Sequence, residues 1–270
     1  MKAEFMIAVL AAAAVAAPAV AQKVFDRDTV KTSKGDVAIT CVGHASLILT
    51  HNGTVIHADP WSAQADYSTL PKADVILITH EHRDHLDSSA LAHIVKSSTV
   101  CVTTSTVSGQ WKPDGAVVLA DGKQAGVFEA GAPPKSPGVV VLGNGQSATV
   151  LGIRVEAVPA YNIVHKRPES GEPFHPKGRG NGYILTIGDK KIYIAGDTEN
   201  VPEMKALKGI DVAFLPMNIP YTMTPEMTAD AAKGFKPKIL YPYHYGDTDT
   251  NKLKELLKNE KGIELRIRKF

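Results

Sequence analysis

Residues 75–85 read Val-Ile-Leu-Ile-Thr-His-Glu-His-Arg-Asp-His. The opening apolar run, rich in β-branched residues and bounded by polar ones, has the pattern of a strand buried on both faces. Four metal-binding side chains follow it at once: His80, His82, Asp84 and His85. The histidines therefore lie where a strand gives way to a loop. A compact turn there can aim His80 and His82 at one point and Asp84 and His85 at a neighbouring one. That arrangement points to two cations rather than one.

Ahead of this motif, residues 1–21 carry a basic Lys2, an apolar stretch from Phe5 to Ala17, and Ala19-Val20-Ala21 before Gln22. This is the pattern of a cleavable secretory signal, and the apolar run is shorter than the ~20 residues a spanning helix needs. The expected location is periplasmic or secreted, with no membrane span in the mature chain. The remaining residues, 22–270, show no composition break and read as one domain. The net charge is +2, and no basic face with interleaved aromatics appears, so nucleic acid is not an expected partner. Cys41 and Cys101 both sit in apolar runs. They read as small core residues, with a disulfide open to an exported chain.

Strand-like and helix-like segments alternate. Strands are expected over 36–42 and 46–50, with a hairpin turn at Asn52-Gly53 leading to 55–57. Further strands are expected over 99–103, 211–215, 239–241 and 263–267, and strand pairs over 148–158, interrupted at Gly152, and 183–194, turned at Gly188-Asp189. Helices are expected over 86–96, 202–207, from Thr224-Pro225 onwards, and over 251–258, the third with a threonine cap and proline in its first turn. This order favours two mixed sheets packed face to face and flanked by helices, an α/β fold of αββα type. Val117–Gly122 nearly recurs as Val140–Gly145 around a Gly/Pro-rich piece. Either both copies serve as the same strand and turn, with the piece between them inserted, or they are two ordinary strands.

Two later residues extend the ligand set. Asp197 ends a strand-like run and follows Gly196, and a carboxylate has two oxygens with which to bridge two cations. His244 again stands just past a strand. With these residues in view, the chain resembles the metallo-β-lactamase-fold hydrolases. Gly43-His44-Ala45-Ser46, Asp59-Pro60, His80–His85, Gly196-Asp197-Thr198 and His244 follow that family's order. The first two elements are similar to those of ascorbate-6-phosphate lactonase-like and N-acylphosphatidylethanolamine phospholipase D-like proteins. The resemblance implies an αββα sandwich in which His80 and His82 hold one metal, Asp84, His85 and His244 the other, and Asp197 bridges. One departure stands out. The phospholipase-like members carry a histidine in a Pro-Ala-x-His element, where this chain has Pro159-Ala160-Tyr161-Asn162. His165 and His175 in the following loop are the candidate replacements. Phe174-His175-Pro176-Lys177 looks like the element of bacterial members with a Pro-Ala-Tyr-Asn segment, which favours His175.

The expected activity is hydrolysis of an ester, lactone or phosphodiester in a small molecule, by water activated between two divalent cations. Zinc suits the donors, and manganese or iron(II) would also fit. Asp84 and Asp59 are the candidate catalytic carboxylates. Asp59 either orients a ligand histidine or is a turn residue before Pro60. His44 is either a structural histidine or a group near the metals. Tyr161, Asn162, Tyr221 and Thr222 either line a pocket or pack its rim. Lys177 and Arg179 either hold a substrate anion or are solvated. His51, His57 and His93 read as structural. The competing activities are β-lactam hydrolysis, diiron chemistry and non-catalytic metal binding. The bridging aspartate weighs against the first, and His82, where diiron relatives carry glutamate, weighs against the second. Oligomeric state cannot be read from the sequence.

Overall fold

The computed structural model describes residues 23–121 and 135–270; the expected signal segment and most of the Gly/Pro-rich piece lie outside these. One sheet contains β1 (Asp26–Val30), β2 (Val37–Gly43), β3 (Ser46–His51), β4 (Thr54–Ala58), β5 (Val75–Leu77), β6 (Val100–Thr103), β7 (Val117–Asp121) and β8 (Gly138–Val141), in the order β1-β2-β3-β4-β5-β6-β8-β7. The other contains β9 (Ser147–Val150), β10 (Ile153–Ala160), β11 (Gly180–Ile187), β12 (Lys190–Ile194), β13 (Val212–Pro216), β14 (Ile239–Tyr243) and β15 (Glu264–Leu265), in the order β15-β14-β13-β12-β11-β10-β9. Each sheet is antiparallel in one part and parallel in the rest. The helices are α1 (Ser88–Ile94), α2 (Ser105–Gln110), α3 (Pro202–Lys205), α4 (Pro225–Phe235) and α5 (Thr250–Leu257).

Three apolar layers show how these elements stack. The central one joins the inner faces of both sheets, through Leu47, Leu77, Val140, Leu185 and Phe214 among others. A second packs α1 and α2 onto the outer face of the first sheet, where Ile76 meets Ala90, Leu91 and Ile94. A third packs α4 and α5 onto the second sheet, through Ala213, Phe235 and Leu253. Helix, sheet, sheet, helix is the expected αββα sandwich. The run at 75–78 is apolar at every position because both of its faces are covered: Val75 and Leu77 face inward, Ile76 and Ile78 outward. Truncating so buried a residue as Leu77 to alanine costs about 2–5 kcal/mol. The two cysteines fall on opposite faces of the first sheet, Cys41 in the central layer and Cys101 in the outer one. With β3, β4 and β5 between their strands, both are free thiols.

The near-repeat resolves into two neighbouring parallel strands, β7 and β8, rather than two claims on one position. β8 pairs with β6 and is buried along its length. β7 is the edge, with Val117 and Val118 about half exposed. Leu119 of β7 leans over Gly138, where a Cβ would stand 2.2 Å from its Cδ1. Similar sequences thus occupy a core strand and an edge strand.

Caps place the site-bearing turns. Asp87 accepts a hydrogen bond from the Ser89 amide and starts α1 two residues after His85, so residues 78–86 are held between a strand end and a helix start. Thr224 caps α4 through the Met227 amide, with Pro225 following. Among the described residues no helix is long and apolar enough to cross a membrane.

Candidate metal centre

The side chains singled out in sequence converge at strand ends along one edge of the sandwich. His44 follows β2, Asp59 follows β4, His80 to His85 follow β5, Asp197 follows β12 and His244 follows β14. Three of them, His44, Asp59 and His244, hold φ angles of 55°, 43° and 46°, a left-handed conformation that non-glycine residues adopt at a cost and that clusters at functional sites. Gly196, before Asp197, has φ of 65°, and a Cβ there would lie 2.9 Å from the Asn181 carbonyl. Only glycine turns the chain at that point.

Two groups of donors form. The first is His80, His82, His175 and Asp197; the second is His44, Asp84, His85 and His244. In the first, His82 Nδ1 lies 3.1 Å from His80 Nε2 and 3.2 Å from His175 Nε2. Imidazole ligands on one tetrahedral zinc, each about 2.0–2.1 Å from the ion, stand about 3.3 Å apart, so these spacings fit a shared cation. In the second, Asp84 Oδ2 lies 2.9 Å from His44 Nε2, 3.4 Å from His244 Nε2 and 3.6 Å from His85 Nε2. Asp197 serves both groups. Its Oδ2 is 3.2 Å from His175 Nε2 and 3.8 Å from His80 Nε2, while its Oδ1 is 3.5 Å from Nε2 of both His85 and His244.

Electrostatics and unmet hydrogen bonding both call for cations here. Burial alone would raise the Asp197 carboxyl, but the facing imidazoles of His244, His85 and His175 hold it well below the usual carboxylate range. Asp84 is likewise held anionic against burial by His244 and His44. Burial, helped by His85, keeps His80 neutral, and His82 is lowered by burial and His175. For His85 the effect of burial is outweighed by Asp197 and Asp59, which raise it well above the usual imidazole value. Among the described residues no lysine or arginine pairs with Asp59, Asp84 or Asp197; their partners are histidines. His85 Nε2, His244 Nε2 and Asp197 Oδ1 are buried without hydrogen-bond partners, an arrangement that is costly unless something satisfies them. Divalent cations fit both groups.

A second layer fixes the rings. Asp59, fully buried, accepts from the Thr79 amide at 2.8 Å, the Thr79 hydroxyl at 2.7 Å and His85 Nδ1 at 2.8 Å. The Thr79 oxygen lies 3.0 Å from His80 Nδ1. One carboxylate thereby orients a histidine in each group, leaving Nε2 of each as the free lone pair. His175 is oriented differently: its Nδ1 donates to Asn162 Oδ1 at 2.7 Å. Asn162 in turn donates to Glu199 at 3.0 Å, and Glu199 also accepts the amides of Ile163, Val164 and His165 at 2.6–2.7 Å. These donors outweigh burial and lower the Glu199 carboxyl. Asn162 thus aims a histidine from farther along the chain.

The other expectations sort as follows. His165 turns from the donors, its Nδ1 2.7 Å from Glu199. His44 meets Asp84, and its ring lies 3.7 Å from that of His244, tilted by 40°. Lys177 pairs with Glu203 at 2.7 Å and Arg179 with Glu81 at 2.5 Å, so neither is free to hold a substrate anion. His57 is buried against the Pro71 carbonyl and its pKa is pushed down to about 4. A cleft of about 500 Å³ opens over His44, His82, Asp84 and Asp197, walled by Arg83, Arg167, Phe174 and Tyr221. Tyr221 is a cleft residue, whereas Tyr161 binds Glu203 and Thr222 binds Asn218. Glu199, Thr79, Arg83 and Arg167 were not picked out from sequence.

A family model described as a beta-lactamase superfamily domain matches residues 38–244. The chain belongs to the metallo-β-lactamase superfamily. Within it, a UPF0173 metal-dependent hydrolase of Thermodesulfovibrio yellowstonii is 31% identical over 79% of this chain and 80% of its own length. This places the chain among the superfamily's metal-dependent hydrolases. A solved structure from Parabacteroides distasonis, assigned as a metal-dependent hydrolase, is 45% identical, covers 92% of this chain and 100% of its own, and superposes with a TM-score of 0.76. Igni18, a metallo hydrolase of Ignicoccus hospitalis, is 22% identical over 86% of this chain and 95% of its own, with a TM-score of 0.63, and shares the fold.

Proposed function

We propose that this enzyme hydrolyses an ester, lactone or phosphodiester bond of a small molecule with two divalent cations, zinc foremost. One observation carries the reading: the two oxygens of Asp197 face two separate donor groups. His80, His82 and His175 would hold one ion and Asp84, His85 and His244 the other, with Asp197 between and His44 supporting Asp84. Bound there, two divalent cations would lower the pKa of a water and polarise the bond to be cut. The chain supplies the rest. Of the two ligand carboxylates lining the cleft, Asp84 is the more open, 33% exposed against 4% for Asp197, and there it can take a proton from water and return it to the leaving group. The His44 hydrogen bond keeps that carboxylate turned to the site. Asp59, deep beneath, acts through the rings it orients.

The test is metal-stripped protein titrated with zinc, manganese or iron(II) and given lactone, aryl ester and phosphodiester substrates. Two ions per chain with turnover of one class supports the reading. Two ions with no turnover of any class would overturn it. The reading also takes the chain to be exported with residues 1–21 removed. An intact N-terminus on protein from the extracytoplasmic fraction would refute that part.

A further inference from the structure

The cleft over the metal centre has a charge pattern that metal binding leaves unexplained. Lys177 and Arg179, near His175 in the chain, are paired with Glu203 and Glu81. Arg83 and Arg167 are exposed, line the cleft, and pair with no carboxylate among the described residues. Arg167 is held in place, donating to the Phe174 carbonyl at 3.1 Å and lying over its ring at 5.2 Å. Its Nη2 comes within 3.4 Å of His82 Nε2. His82 turns Nδ1 toward His80 and His175, so as a neutral ligand it carries its proton on Nε2. Two N–H donors then face one another with no acceptor between them. An oxygen brought by a bound molecule would satisfy both. Beside them, Phe174 and Tyr221 form an edge-to-face pair at 5.1 Å.

We propose that this cleft is a subsite for an anionic group that lies outside the bond being cleaved. The group is a carboxylate or phosphate, held by Arg83, Arg167 and the His82 Nε2–H, with the apolar body of the substrate against Phe174 and Tyr221. The substrate is then an organic anion, which narrows the hydrolase reading on which this rests. Both arginines offer planar paired donors suited to either anion, and a cleft of this volume takes a molecule of drug size.

The experiment has two arms on metal-loaded protein. In the first, 4-nitrophenyl butyrate is compared with the 4-nitrophenyl monoester of glutarate, which adds a carboxylate at similar length. The expected ratio of kcat/KM favours the charged ester by about tenfold or more, the size of a charged hydrogen bond. In Arg83→Gln the ratio falls towards one, mainly through KM, and in Arg83→Glu it inverts. In the second arm, calorimetry measures phenylphosphonate and phenylacetate on wild type, Arg83→Gln and Arg167→Gln. Each variant is expected to bind the preferred anion about tenfold more weakly, and whichever anion wild type holds tighter names the natural group. Turnover without preference for the charged ester, or unchanged anion affinity in both variants, overturns the subsite. Absence of turnover with either ester counts against the hydrolase reading alone, and the calorimetric arm then decides the subsite by itself.

Discussion

The two donor groups sit side by side and share Asp197, yet they are built differently. Two residues of the second group, His44 and His244, rest directly past strand ends, and His85 is wedged between Asp59 and Asp197 in the interior. The first group borrows one donor, His175, from the loop between β10 and β11, and that loop is held by polar contacts. Its chain of support runs Glu199, Asn162, His175. The second group stands on strand ends and a buried carboxylate, while the first also depends on a hydrogen-bond network within a loop. Support from strand ends comes with the fold. The loop network has to be specified residue by residue, and it can be weakened without touching the core.

This contrast can be broken or sharpened by mutation. Asp197→Ala should have the largest effect, because it removes a donor from both groups. Activity should drop to background and the metal content to one ion or none, by elemental analysis of folded protein; two ions with full activity would refute the bridge. Asp59→Asn comes next, since the amide presents a donor to His85 Nδ1–H or to the Thr79 hydroxyl. Both sites should lose affinity by about 10–100-fold, the range seen when an orienting partner is removed. Asn162→Ala should separate the halves: stepwise metal titration should show about tenfold weaker binding at one site and an unchanged second site. Equal loss at both would mean that the loop network supports the whole centre. His165→Ala should matter least, altering metal affinity by less than about threefold, because that ring faces Glu199 rather than the donors.

What was legible in sequence follows the reach of its causes. His80, His82, Asp84 and His85 lie within six residues, so their joint purpose shows locally. Asp197 and His244 were found because each follows a strand-like run, with a family resemblance to order them. Strands buried on both faces, such as β5 and β13, announce themselves by unbroken apolar runs. β1 does not: Asp26, Arg27 and Asp28 carry no apolar pattern, and the strand is held by pairing with β2 and by Asp28 meeting Arg268 and Tyr241 from the far end of the chain. The helix α2 was missed because its Ser/Thr-rich start hides the capping Thr104. Glu199 carries no mark of its own, since its donors lie some 34 to 37 positions earlier. The same holds for the cations. Lys177 and Arg179 stood out by nearness to His175 in sequence, but whether an arginine is free depends on which carboxylate the fold brings beside it.

The provenance of the ligands has a mechanical consequence. His80, His82, Asp84 and His85 descend from the first sheet, whereas His175, Asp197 and His244 belong to the second. At this edge the sheets already touch through backbone, the His244 amide bonding the His44 carbonyl at 2.8 Å and the Asn181 amide the Thr79 carbonyl at 2.9 Å. Each cation would therefore act as a rivet through two plates. A chain with both thiols free would gain from such ions a cross-link between its two sheets. Loss of the ions would then register as a loosened seam along one rim, felt by exchange of those two amides before any helix or outer strand gives way.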